Sequence, residues 1–164
     1  MTRITTFLAA AAVLSMPLTS LADEPNEGLR LAQLSFASMD GSDRGYVDMS
    51  EYLRYGVDVF VSMDQDESGG IDLPEFMDWD FGMSFVAEDR DAVPAYETAL
   101  RVVFGFWDRN GDGMITSAEH GQSLVLDYQR ADTDRDGKLT EEEYLSGFSV
   151  MVALRAALNP EPLN

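Results

Sequence analysis

The chain has 164 residues, with 30 Asp and Glu against 11 Lys and Arg, a single His and no Cys. A formal net charge of -19 argues against nucleic acid or an anionic membrane as partner, since both repel a polyanion, and leaves cations or basic proteins. The missing Cys excludes disulfide scaffolds, thiolate zinc sites, iron-sulfur clusters and cysteine nucleophiles, while 45% hydrophobic residues are enough to build a core despite the charge.

Residues 1–22 read as a cleaved secretory signal. Arg3 is the only charge ahead of a short apolar run through Phe7, Leu8 and Val13 to Met16, and Ser20 and Ala22 supply small residues before Asp23. The run is too short to span a bilayer, so no transmembrane segment is expected after cleavage. Cleavage takes only Arg3 from the charged residues and leaves 10 basic against 30 acidic side chains.

The remaining chain alternates apolar helical stripes with acidic segments. Leu29, Ala32, Phe36 and Met39 predict a helix running into Asp40–Glu51 (DGSDRGYVDMSE). Tyr52, Gly56, Val59, Phe60 and Met63 carry one stripe into Asp64–Glu75 (DQDESGGIDLPE), and Phe76, Trp79 and Met83 follow it. Residues 87–94 form a polar connector ending in Pro94, which suits the first turn of a new helix. Leu100, Val103, Phe104 and Trp107 lead into Asp108–Glu119 (DRNGDGMITSAE), and Leu124, Tyr128 and Ala131 into Asp132–Glu143 (DTDRDGKLTEEE). Glu141 to Leu158 reads as one long helix stopped by Asn159 and Pro160. Tyr144, Phe148, Met151 and Val152 form its core stripe, and its tail, apolar on more than one face, is expected to pack on the rest of the chain, with a dimer or partner contact as the alternative.

All four acidic segments are twelve residues long, with Asp at position 1, Gly at 6, an aliphatic residue at 8 and Glu at 12. This pattern resembles the EF-hand calcium loop. The resemblance, to calmodulin-like secreted bacterial proteins of the EF-hand superfamily, implies an all-α array of helix-loop-helix units that binds calcium ions. A hard cation needs several oxygens, so side chains at 1, 3, 5 and 9 converge, the carbonyl of position 7 joins them, and the Glu at 12 closes the shell with both oxygens. The implied ligands are Asp64, Asp66, Ser68, Gly70, Asp72 and Glu75 in the second loop, and Asp108, Asn110, Asp112, Met114, Thr116 and Glu119 in the third. Asp132, Asp134, Asp136, Lys138, Thr140 and Glu143 form the fourth set. In the first loop Asp40, Ser42, Tyr46, Asp48 and Glu51 fit, but Arg44 stands at position 5, where it removes an oxygen and repels a cation. That loop is expected to be weak or empty, with Arg44 paired to Asp43 or Asp48. Val47, Ile71, Ile115 and Leu139, at position 8, are expected to face inward in short strands that pair two loops.

Loop starts lie 24 residues apart within each half and 44 apart between the inner loops, which marks a duplication: 23–86, the connector 87–94, and 95–164. Between Glu51 and Asp64 one helix serves both loops, so loops one and two are held apart and loop two can pair with loop three. Gly56 and Gly121 leave open the alternative of a helix broken in two. The chain is therefore expected to be a calcium sensor or buffer outside the cytoplasmic membrane, secreted or periplasmic. The alternative is a calcium-stabilised structural or adhesion module that docks to a protein through apolar helix faces. No enzyme is expected: each motif acid has a ligand role, and His120 is assigned to packing.

Overall fold

The computed structural model describes residues 27–159, so the expected signal at 1–22 and the Pro160 stop lie outside the described residues. Among the described residues, eight α-helices and four three-residue strands carry the repeat, one strand opening onto a helix in each loop. In chain order they are α1 (Glu27–Met39), β1 (Tyr46–Asp48), α2 (Met49–Met63), β2 (Gly70–Asp72), α3 (Leu73–Trp79), α4 (Ser84–Asp89), α5 (Val93–Trp107), β3 (Met114–Thr116), α6 (Ser117–Ala131), β4 (Lys138–Thr140), α7 (Glu141–Gly147) and α8 (Ser149–Leu158). Among the described residues no helix is long and apolar enough to cross a membrane.

Each loop opens its following helix through the same reciprocal cap. Asp48, Thr116 and Thr140 accept the backbone N–H of Glu51, Glu119 and Glu143, whose carboxylates return to the capping residue's own N–H. Asp72 and Glu75 make the same exchange at α3. One pair of residues thus both ends a strand and starts a helix.

The 24-residue step is met by shared helices. α2 runs unbroken from loop one to loop two, about 22 Å at 1.5 Å per residue, and α6 does the same from loop three to loop four. Adjacent loops cannot reach each other, and pairing goes across the halves. β2 pairs antiparallel with β3 with Ile71 opposite Ile115, and β1 pairs with β4 with Val47 opposite Leu139. All four aliphatic residues are fully buried. Gly56 does not break α2: a Cβ there would lie 2.1 Å from Leu124 Cδ1, so the glycine lets α2 cross α6 closely.

One core joins both halves. Ala32, Phe36 and Met39 of α1, Phe60 and Met63 of α2, Leu100, Val103 and Phe104 of α5, and Tyr128 of α6 are all buried in it, as the stripes predict. The connector is more structured than expected, because α4 occupies its start and buries Val86 and Ala87. Pro94 stands in the first turn of α5.

The expected single helix over 141–158 is corrected to two. Phe148 is extended (φ -70, ψ 118) and separates α7 from α8. Gly147 sits against Ala131 so tightly that a Cβ would lie 2.5 Å from the Ala131 Cα, and the bend turns α8 back along α5. Val150, Met151, Leu154 and Leu158 are then buried, whereas Val152, expected in the core stripe, is 43% exposed. α8 ends at Leu158, where the Arg90 guanidinium reaches the Leu158 carbonyl and the Asn159 side chain.

Candidate metal centres

The four loops follow one backbone path. Position 4 is left-handed in each (Asp43, Glu67, Gly111, Arg135), and so is the glycine at position 6 (Gly45, Gly69, Gly113, Gly137). That path turns the position-6 N–H onto the Asp at position 1, with Oδ2 of Asp40, Asp64, Asp108 and Asp132 accepting at 2.7, 2.9, 2.9 and 3.1 Å. The Glu at position 12 receives the N–H of position 9 at 3.0–3.1 Å in every loop.

Loop two gathers acids from both of its ends. Ligand oxygens of Asp64, Asp66 and Glu75 lie within 4.8 Å of one another. The Ser68 N–H donates to Asp64 Oδ1 and Asp66 Oδ1, both at 2.9 Å, and the Ser68 hydroxyl donates to the Gly70 carbonyl at 3.0 Å, so positions 5 and 7 face the same centre. In loop four, Asp132, Asp134 and Asp136 converge within the same 4.8 Å. Asp132 Oδ1 is buried and has no hydrogen-bond partner, an acceptor left over for a cation. Thr133 adds its N–H and hydroxyl to Glu143 Oε1 at 3.0 and 3.1 Å, an arm of the site the sequence does not announce. Thr140 also donates to Glu143, and these bonds hold its carboxyl below the usual range although burial works against them.

Loop three is built from Asp108, Asn110, Asp112, Thr116 and Glu119. The Asn110 side-chain oxygen accepts the Asp112 N–H at 2.8 Å while its amide donates to Asp112 Oδ2 at 3.0 Å. The Thr116 N–H and hydroxyl, then the Asn110 N–H, lower the Glu119 pKa. An anionic Glu119 is what a metal requires.

Loop one has the same path but a different centre. The Arg44 guanidinium lies 3.0 Å from Asp48 Oδ2, makes a still shorter contact with Glu51 Oε2, and covers the Tyr46 ring at 4.4 Å. Arg44 thus pairs with Asp48 as expected, while its second partner is Glu51, seven residues away, rather than Asp43. The Ser42 hydroxyl donates to the other oxygen of Glu51 at 3.3 Å. The Asp48 carboxyl is held far below its ordinary value by the Glu51 N–H and the Arg44 side chain.

His120 follows Glu119 but faces the core, packed against Phe60 at 5.4 Å and Trp107 at 5.1 Å between ring centres. Burial pushes its pKa down to about 4. The residue that sequence reading missed is Tyr128 of α6. It reads as one more core aromatic, yet its hydroxyl donates to the Gly137 carbonyl of loop four at 2.8 Å and lies 3.1 Å from the Val47 carbonyl of loop one.

Residues 57–78, 100–119 and 129–149 each match the EF hand family, and the chain belongs to the EF-hand superfamily. These stretches contain the loops 64–75, 108–119 and 132–143 and leave out 40–51. A comparison with curated proteins finds no match. EF hands are calcium-binding units, and the clustered carboxylates of loops two and four have the spacing to hold a metal ion.

Proposed function

We propose that this protein is a calcium sensor or buffer working outside the cytoplasmic membrane, with ions held by loops two, three and four. The observation that carries the reading is Asp132 Oδ1, a buried carboxylate oxygen without a partner, beside two further converging carboxylates. Calcium is favoured over magnesium because Glu75, Glu119 and Glu143 offer two oxygens each to a seven-coordinate shell. The extracytoplasmic setting is supported by the signal-like residues 1–22, and a secreted chain beginning at Asp23 by mass spectrometry tests it. Catalysis has no part in the proposal, since the acids serve as ligands and His120 is enclosed by rings.

A second reading, a calcium-stabilised docking module, is favoured by Val57 and Val61 of α2 and Phe106 of α5, which are 62, 68 and 71% exposed. Apolar dye fluorescence separates a sensor from the other roles. A sensor gains dye binding when calcium is added, whereas a docking module or buffer keeps it level or loses it.

Thermal melting tests the metal itself. A ligand that binds only the folded form stabilises it by about 2.7 kcal/mol per site at one hundred times Kd. Three sites then raise the midpoint by roughly 20–30 °C over chelator-treated protein, and magnesium by much less. Equal midpoints in calcium and chelator overturn the proposal.

A further inference from the structure

We infer that Arg44 is a built-in cation. It closes loop one in place of a metal ion and, through the β1–β4 pair, sets loop four in its binding geometry before any ion arrives. Site four then fills independently, while sites two and three fill as a coupled pair. The inference rests on the reading of loops two to four as metal sites and adds how they are linked.

Loop one keeps the left-handed positions 4 and 6 (Asp43 and Gly45) and the backbone hydrogen bonds of positions 6 and 9 seen in the other three, although its centre holds a guanidinium. Arg44, at position 5, reaches Asp48 and Glu51 at positions 9 and 12, tying the middle of the loop to its end as an ion would. Glu51 is only 6% exposed, and without Arg44 it would be a buried carboxylate facing Asp48 with no positive charge to offset it. The closed loop then grips loop four at three points. Val47 stands opposite Leu139 in the strand pair. The Tyr46 ring lies under Arg44 at 4.4 Å and under Lys138 of loop four at 5.1 Å. The Tyr128 hydroxyl bridges the Val47 and Gly137 carbonyls, and the Gly137 N–H holds Asp132 Oδ2. The bare Oδ1 of that same Asp132 is therefore aimed by contacts that need no metal.

The β2–β3 pair has no counterpart. Position 5 is Ser68 in loop two and Asp112 in loop three, so each centre carries uncompensated carboxylates until an ion enters. Ile71 and Ile115 tie the two strands together, and an ion that orders one loop orders the strand of the other.

Amide hydrogen exchange on the whole chain in chelator gives the first readout. Amides of the β1–β4 ladder exchange at least about tenfold more slowly than those of the β2–β3 ladder. In Arg44→Ala, which removes the charge and adds no ligand, that difference disappears. The second readout is calcium affinity. On a Glu75→Gln, Glu119→Gln background that leaves site four alone, Arg44→Ala weakens binding by about tenfold, and Arg44→Lys, which keeps the charge without the fork, recovers part of it. Glu75→Gln alone weakens site three and leaves site four unchanged. Equal exchange of the two ladders in the metal-free wild type overturns the inference, as does a site-four affinity indifferent to Arg44. Should Arg44→Ala fail to fold, the wild-type ladder contrast and Arg44→Lys still decide. A wild type that binds no calcium defeats the proposed function instead, and the ladder contrast remains readable without metal.

Discussion

Glu75, Glu119 and Glu143 each hold the N–H that opens a helix and stand where a metal would take both carboxylate oxygens. Replacing any one with Gln keeps a cap acceptor and the carbon skeleton but removes the charge. The calcium count therefore falls by one with the circular dichroism of the helices unchanged in high calcium. Glu51→Gln leaves the count unaltered, because Arg44 already occupies that carboxylate. Equal losses at all four positions contradict this assignment. His120 supplies a different residue-scale prediction. Its pKa falls from 6.5 to about 4 on burial, so the folded state favours the neutral ring. Its contribution to stability is complete above pH 6.5 and is lost as pH falls toward 4, amounting to about 3 kcal/mol. Denaturant midpoints of the metal-free protein should drop across that window and do so less in His120→Leu. The lowered Glu119 and Glu143 also lose stability in acid, but only as pH falls below about 4.5, so most of the His120 window lies above theirs. An identical slope in wild type and His120→Leu contradicts the assignment.

At the scale of elements, the two glycines inside shared helices look equivalent in sequence and differ in surroundings. Gly56 faces Leu124 at the α2–α6 crossing, where a methyl group would overlap a side-chain atom, whereas nothing stands within 4 Å of a Cβ at Gly121. Gly56→Ala should cost about 1–3 kcal/mol and be partly rescued by Leu124→Ala, while Gly121→Ala should gain about 0.5–1 kcal/mol. Equal effects in chemical denaturation would show that the crossing is not close. These helices also mark where the sequence is informative. Ligand chemistry is local, so four twelve-residue segments reveal the loops. The short interval between Glu51 and Asp64 similarly favours a shared helix over two short ones, and the shared helix sends loop two to loop three. The break at Phe148 has only Gly147 as a local signal: no proline or side-chain cap stands there, and the close approach of Gly147 to Ala131, sixteen residues away, is not legible in the sequence. Tyr128 is hidden for the same reason, since its partners lie at Gly137 and, 81 residues away, at Val47.

Across the whole molecule, the four loops carry most of a net charge of -19 and a single core draws them together, so helix packing must hold them against their own repulsion. Three divalent ions would offset six of those charges and supply the bonds that fix three of the four turns, with Arg44 fixing the remaining one. The same sharing of helices that prevents adjacent loops from touching makes the two strand pairs the only β-ladders among the described residues, so an ion that orders a loop would also order a ladder that joins the halves. Calorimetric titration of the chain from Asp23 onward with calcium tests this account most directly. It predicts about three ions per chain, with magnesium giving far less heat at equal concentration. Four equivalent sites, or no saturable heat with calcium, would contradict it.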